Sequence, residues 1–246
     1  MSAPRSADHA DPGPGQAPDR VGVLRRSLAV GVATGLYGLS FGALSVAAGL
    51  SVWATIALSA LMFTGGSQFA FVGVVGAGGS GAAAVAAASL LGVRNGLYGL
   101  RLAPTLRATG LRRVVAAHLT IDESTAVSLT QGDPAARRLG FWATGLAVFV
   151  CWNATTAIGA LAGDALGDPR RYGLDAMAAA AFLALLWPRL SSWQPRAVAM
   201  AAAVVAAAGI PALPAGTPVL VAALVAVVVG LGRRTGRTST PGASSW

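Results

Sequence analysis

Three long stretches of the chain contain no Asp, Glu, Lys or Arg: 27–93, 139–163 and 197–232. Each exceeds the roughly 20 apolar residues that an α-helix needs to cross a bilayer. None alternates apolar and polar positions, as the strands of a membrane barrel do. The pattern predicts an all-α, polytopic transmembrane helical bundle of six to seven spans. The first span is expected over 27–49 and the second over 51–76, the latter broken or re-entrant. Its interruption is read at Gly65, Gly66, Ser67 and Gln68, in "MFTGGSQFAF". The weak helix former "GAGGSG" follows at 76–81, then an Ala-rich piece at 82–93. Five arginines lie within 94–113, with Pro104 among them, and 114–131 is only half apolar. Spans over 139–162 and 174–188 and a tight pair over 197–213 and 216–232 complete the expectation.

Composition sharpens this picture. The 246 residues are 54% hydrophobic and 11% charged, against about 25% charged in an ordinary soluble domain. The net charge of +9 comes from 18 basic residues, all arginines, set between the apolar runs. Such clusters mark cytoplasmic loops, so the charge is read as membrane orientation and not as a nucleic-acid surface. Arg20, Arg25 and Arg26 place the N-terminus on the cytoplasmic side. Arg137/Arg138, Arg189/Arg196 and Arg233/Arg234 place the C-terminus there as well. In the first half, three apolar pieces separate a cytoplasmic start from the arginines of 94–113. Either one piece is broken or re-entrant, or 114–131 makes an extra crossing. Residues 1–24 and 233–246 read as disordered cytoplasmic tails around a transmembrane domain at 25–232, and the start lacks the apolar segment of a signal peptide. The single cysteine, Cys151, excludes an intramolecular disulfide and is read as a packing residue.

Four places carry candidate chemistry. A Gly-Gly-Ser-Gln break within a span frees peptide groups that hydrocarbon cannot satisfy. Such breaks form transporter sites near the midplane, or simply let helices pack closely. Arg94 and Asn95 either sit at the membrane surface, or face inward toward a substrate carboxylate or a carboxylate of the chain. Tyr98 lies one turn beyond Arg94, on the same helical face, and is alternatively an interfacial aromatic. His118 and Asp122, at i,i+4 in "HLTIDES", share a face if 114–131 is one helix, with Glu123 beside them. These three are proton-relay candidates or loop residues. Asn153, in the cleanest span, either bonds a neighbouring helix or lines a path. No metal or cofactor is expected, because the ligand set is too small. An intramembrane enzyme lacks its nucleophile–base pair, and the loose H-x-x-x-D spacing of His118 and Asp122 is set aside.

One phrase occurs twice. "GVATGLYGL" at 31–39 and "GVRNGLYGL" at 92–100 agree at seven of nine positions. Duplication is one explanation. The other is a shared local need: glycines for close packing, Tyr37 and Tyr98 as anchors, and arginines in the second copy because it leaves the membrane toward the cytoplasm.

Taken in order, "GLSFGALSVAAGLS", "FTGGSQFAFVG", "GVRNGLYGLRLAP", "HLTIDES" and "GDALGDPRRYGLDAMAAAAFLALLWP" resemble the AzlC family, the large subunit of branched-chain amino acid exporters, over about 25–232. The resemblance implies export of leucine, isoleucine and valine, in some members methionine, with a small AzlD-type membrane subunit as partner. It carries Ser67 and Gln68, Arg94 and Tyr98, and Asp122 and Glu123 at the family's motif positions. It implies a proton-driven exporter in the bacterial cytoplasmic membrane. Its site would lie between the broken segment and Arg94–Tyr98. A non-transporting scaffold or regulatory subunit is the alternative, separated by whether Gln68, Arg94 and Asp122 converge on one cavity.

Overall fold

The computed structural model describes residues 19–166, 183, 186–187, 190–214 and 217–236. Among the described residues every regular element is helical: α1 (Arg20–Gly35), α2 (Tyr37–Ala47), α3 (Val52–Leu61), α4 (Gly66–Gly76), α5 (Gly81–Leu106), α6 (Gly110–His118), α7 (Asp122–Leu129), α8 (Pro134–Ala165), α9 (Trp193–Gly209) and α10 (Thr217–Gly236). Starts follow ordinary capping chemistry. Asp19 accepts from the Gly22 N–H at 2.9 Å, Ser51 from Ala54 at 3.2 Å, Ser80 from Ala83 at 3.2 Å and Asp133 from Ala136 at 2.8 Å. Each satisfies a first-turn donor that has no partner one turn back.

The centre is α8, 32 residues long and so about 48 Å at 1.5 Å per residue. Helices α1 and α2 lie along it through small residues. A Cβ added to Gly31 would stand 2.6 Å from the Ala147 Cβ, and one on Gly35 2.5 Å from the Cys151 Cβ. Backbones this close gain dispersion contacts, which drive helix association where lipid and core are equally apolar. Two polar contacts pin the register. The Thr144 hydroxyl donates to Ser27 Oγ at 2.9 Å, both buried, and the Thr155 hydroxyl donates to the Gly35 carbonyl. An aromatic knot joins α2, α4 and α8: Phe41 stacks on Trp152 at 5.8 Å and meets Phe69 edge-on at 5.4 Å.

Outward faces are apolar. Val21, Leu24, Leu28 and Val32 of α1 are exposed at helical spacing, as are Leu146, Val150, Ile158 and Leu161 of α8. The stretches Arg20–Ala47 and Pro134–Ala165 are long and apolar enough to cross a membrane, and such a surface suits lipid rather than water.

Several sequence expectations change. The span at 27–49 holds within one helical stretch over Arg20–Ala47, with a single irregular residue, Leu36, between α1 and α2, whose φ of −57° and ψ of −29° stay helical. The break in 51–76 falls at 62–65, three residues earlier than read, so Ser67 and Gln68 belong to the first turn of α4. Helix α5 continues through Arg94 and Arg101 to Leu106. Arg94 is therefore mid-helix, and the second phrase neither opens nor closes a helix. The shared packing need fails too: a Cβ on Gly96 or Gly99 would meet nothing within 4 Å. Segment 114–131 is two helices, because Ile121 is extended at φ −126°, ψ 174°, and His118 and Asp122 share no helical face. Residues 20–24 and 233–236, read as tail, are helical. The expected spans at 197–213 and 216–232 correspond to α9 and α10. The span at 174–188 lies outside the described residues except for Leu183, Leu186 and Trp187.

Candidate functional site

Three helix interruptions meet at one place. Thr34 and Tyr37 flank the irregular residue Leu36, Phe63 to Gly66 run from the α3–α4 break into α4, and Ile121 to Glu123 run from the α6–α7 break into α7. All of them line a single cavity of about 310 Å³. Helix α5 adds Leu91 and Arg94; α8 adds Val148 and Trp152. The volume lies at the lower end of small-molecule sites, about 300–1,000 Å³.

Each break has a local cause. At α3–α4 the turn needs Gly65, whose φ of +63° and ψ of −90° suit a residue without Cβ. Gln68, fully buried, holds both sides of this gap. Its Oε1 accepts from the Gly65 N–H at 3.0 Å, and its Nε2 donates to the Leu58 and Ser59 carbonyls at 3.4 and 3.3 Å. One amide thus joins the end of α3 to the start of α4; the Leu58 carbonyl also accepts from the Met62 N–H at 2.9 Å, while the Ser59 carbonyl and the Gly65 N–H are terminal groups of the kind hydrocarbon cannot satisfy. At α6–α7 the corresponding residue is Ser124. Its hydroxyl accepts from the Ile121 N–H at 3.1 Å and donates to the Leu119 carbonyl at 2.7 Å.

Replacing Gln68 with Ala is expected to destabilise the protein by about 2 kcal/mol, the cost of orphaning buried backbone groups. Equilibrium unfolding in detergent checks this. A change below about 0.5 kcal/mol, the size of a neutral surface substitution, would show that the amide bridges nothing of consequence.

The charges in the cavity are ordered. Arg94 Nη1 lies 3.0 Å from Asp122 Oδ2, with the two side chains 30% and 29% exposed. The guanidinium also lies over the start of α4, where a Cβ on Gly66 would stand 2.9 Å from Nη2. Gly66 and Ser67 open α4, so their N–H groups have no partner one turn back and carry the positive end of the helix dipole. Arg94 and the α4 start make one electropositive corner. Asp122 and Glu123, in the first turn of α7, make an electronegative one. Phe63, Phe69, Leu91, Val148, Trp152 and Leu186 supply apolar wall.

Of the residues singled out from sequence, Gly65, Gly66, Arg94, Asp122 and Glu123 line this cavity; Ser67, Gln68, Asn95, Tyr98, His118 and Asn153 do not. Ser67 packs toward Gly92 of α5. The Asn95 Oδ1 is buried without a hydrogen-bond partner. Tyr98 is half-buried one turn beyond Arg94. The His118 ring sits between Phe63, at 5.9 Å, and Phe149, at 5.7 Å. Asn153 Nδ2 donates to Phe149 O of its own helix at 2.8 Å, while the neighbouring Thr155 makes the interhelical bond. Thr34, Tyr37, Phe63, Phe69 and Trp152 were not singled out as site residues. Among the described residues no group of three or more His, Cys, Asp or Glu is placed to hold a metal ion.

A model of the family described as AzlC protein matches residues 29–166. That match contains all three helix interruptions and every cavity residue except Leu186. No curated protein matches the chain, and no solved structure matches it.

Proposed function

The chain belongs to the AzlC family, and from that premise we propose that it is a secondary exporter of branched-chain and similar apolar amino acids across the bacterial cytoplasmic membrane. The family is linked to branched-chain amino acid transport rather than to catalysis. The observation that carries the proposal is the cavity at the three helix interruptions. It offers a cationic corner, an anionic corner and an apolar wall within one volume of amino-acid size.

In this reading the substrate carboxylate goes to Arg94 and the N–H groups that open α4. The ammonium goes to Asp122 and Glu123. The side chain rests against Phe69, Leu91, Val148 and Trp152. A zwitterion then replaces the Arg94–Asp122 pair with two pairs of its own, so neither charge is left alone in an apolar site. Asp122 and Glu123 carry the proton exchanged for substrate, and a small AzlD-type subunit is the partner. Of the three residues that separate a transporter from a passive scaffold, Arg94 and Asp122 line the cavity while Gln68 lies outside it and holds the α3–α4 break beside it, which supports the transporter in part.

Counterflow in vesicles tests this, with labelled leucine, methionine and a polar amino acid, with and without a pH gradient and with and without the small subunit. Leucine exchange is expected at least about tenfold above the polar control, and faster with the gradient. Leucine uptake equal to that of protein-free vesicles in every arm would overturn the reading.

A further inference from the structure

A second cavity, of about 300 Å³, lies away from the first and is lined by Arg20, Arg112, Arg138 and Trp142, with Ala135, Ala136 and Leu139. The three arginines come from three helices: α1, α6 and α8. Among the described residues, none of them is within ion-pair distance of a carboxylate. The nearby carboxylates of Asp19 and Asp133 line a neighbouring cavity, and both are bound to helix N–H groups. Arg112 is held in place by the Trp142 ring, its Cζ 5.2 Å from the centroid. Three guanidiniums around one concavity, none with a carboxylate at ion-pair distance, attract an anion, and phosphate oxygens match the guanidinium fork.

We propose that this cavity holds the phosphodiester headgroup of an anionic glycerolipid. The lipid source is argued from what surrounds the arginines. Helix α6 turns Leu111, Val114 and Val115 outward, all exposed at i, i+3, i+4 spacing, the mark of a helix lying in the membrane interface. Val21, Leu24 and Leu28 continue an exposed apolar strip along α1 from Arg20, a surface for acyl chains below a headgroup. Trp142 belongs to the residue type that favours the interface. A basic pocket between helices at that level is the usual form of a lipid phosphate site.

The test is native mass spectrometry of the full chain, titrated with phosphatidylglycerol and, separately, phosphatidylcholine. Wild type is expected to prefer phosphatidylglycerol, and R20Q/R112Q/R138Q to lose about 100-fold in affinity for it, from roughly one step of attraction per arginine. Arg137 lies outside the cavity and donates from Nε to the Gln131 carbonyl at 2.7 Å, so R137Q is expected to change affinity by less than about threefold. Equal binding of the two lipids by wild type overturns the proposal, and this arm decides the matter even if the triple variant fails to fold. An undiminished preference in the triple variant, or an equal loss in R137Q, also overturns it. Displacement of the lipid by millimolar inorganic phosphate would reassign the site to free phosphate.

Discussion

Replacing Gly42 or Gly159 with Val is expected to prevent the protein from accumulating as a folded species. Helices α2 and α8 touch backbone to backbone there. A Cβ on Gly42 would stand 2.6 Å from the Ala160 nitrogen and 2.9 Å from the Gly159 carbonyl carbon; one on Gly159 would stand 2.8 Å from the Leu39 carbonyl carbon. These neighbours are main chain inside helices and cannot rotate away. The two helices would have to separate, losing the contact of Phe41 with Trp152, which lines the cavity. Overpacking against side chains costs about 1–3 kcal/mol. Against rigid backbone the expected loss exceeds about 3 kcal/mol, a large part of the 5–15 kcal/mol by which a protein is stable. Gly96→Val is the matched control, since nothing lies within 4 Å of its added Cβ. Size-exclusion profiles and thermal unfolding in detergent read the outcome. A folded G159V as stable as G96V would mean that α2 and α8 do not touch as described.

The helical class was legible because hydrophobic length alone decides it, and so was a break in 51–76, because the glycine pair marks a turn in an apolar run, although only Gly65 belongs to the turn and Gly66, Ser67 and Gln68 open α4. Two of the three interruptions were not. Leu36 lies in an uncharged run with no proline. The groups freed there are met by the Thr155 hydroxyl, 120 positions away, which no local pattern encodes. Ile121 is not a residue type that caps helices. The cap is supplied by Ser124 from within the helix, so "HLTIDES" reads as continuous. The walls were hidden for another reason. In a chain dissolved in lipid the inward and outward faces are equally apolar, so nothing in the spacing of Phe69 or Trp152 says which way it points. The family resemblance placed Arg94 and Asp122 on its motif positions. That each is the other's partner is a long-range fact that only the fold supplies.

The pair itself gives the other large effect. D122N removes the carboxylate 3.0 Å from the Arg94 guanidinium, and R94Q removes the guanidinium from the Asp122 carboxylate. For a fully buried pair such a break costs about 3–5 kcal/mol. Here both side chains are about 30% exposed, and screening reduces the expected loss to about 1–2 kcal/mol for either single change. The double variant R94Q/D122N removes both charges and is expected to be more stable than either single variant. Transport behaves differently. In the proposed site Arg94 receives the carboxylate and Asp122 the ammonium, so each single change and the double change should lower leucine counterflow by at least about 100-fold, the scale of losing one partner of a desolvated charge pair. Stability recovered without transport is the signature of a pair that serves the ligand as well as the fold. Losses of stability that simply add in the double variant would show that the two side chains do not interact. Wild-type counterflow in R94Q would remove the arginine from the substrate's path.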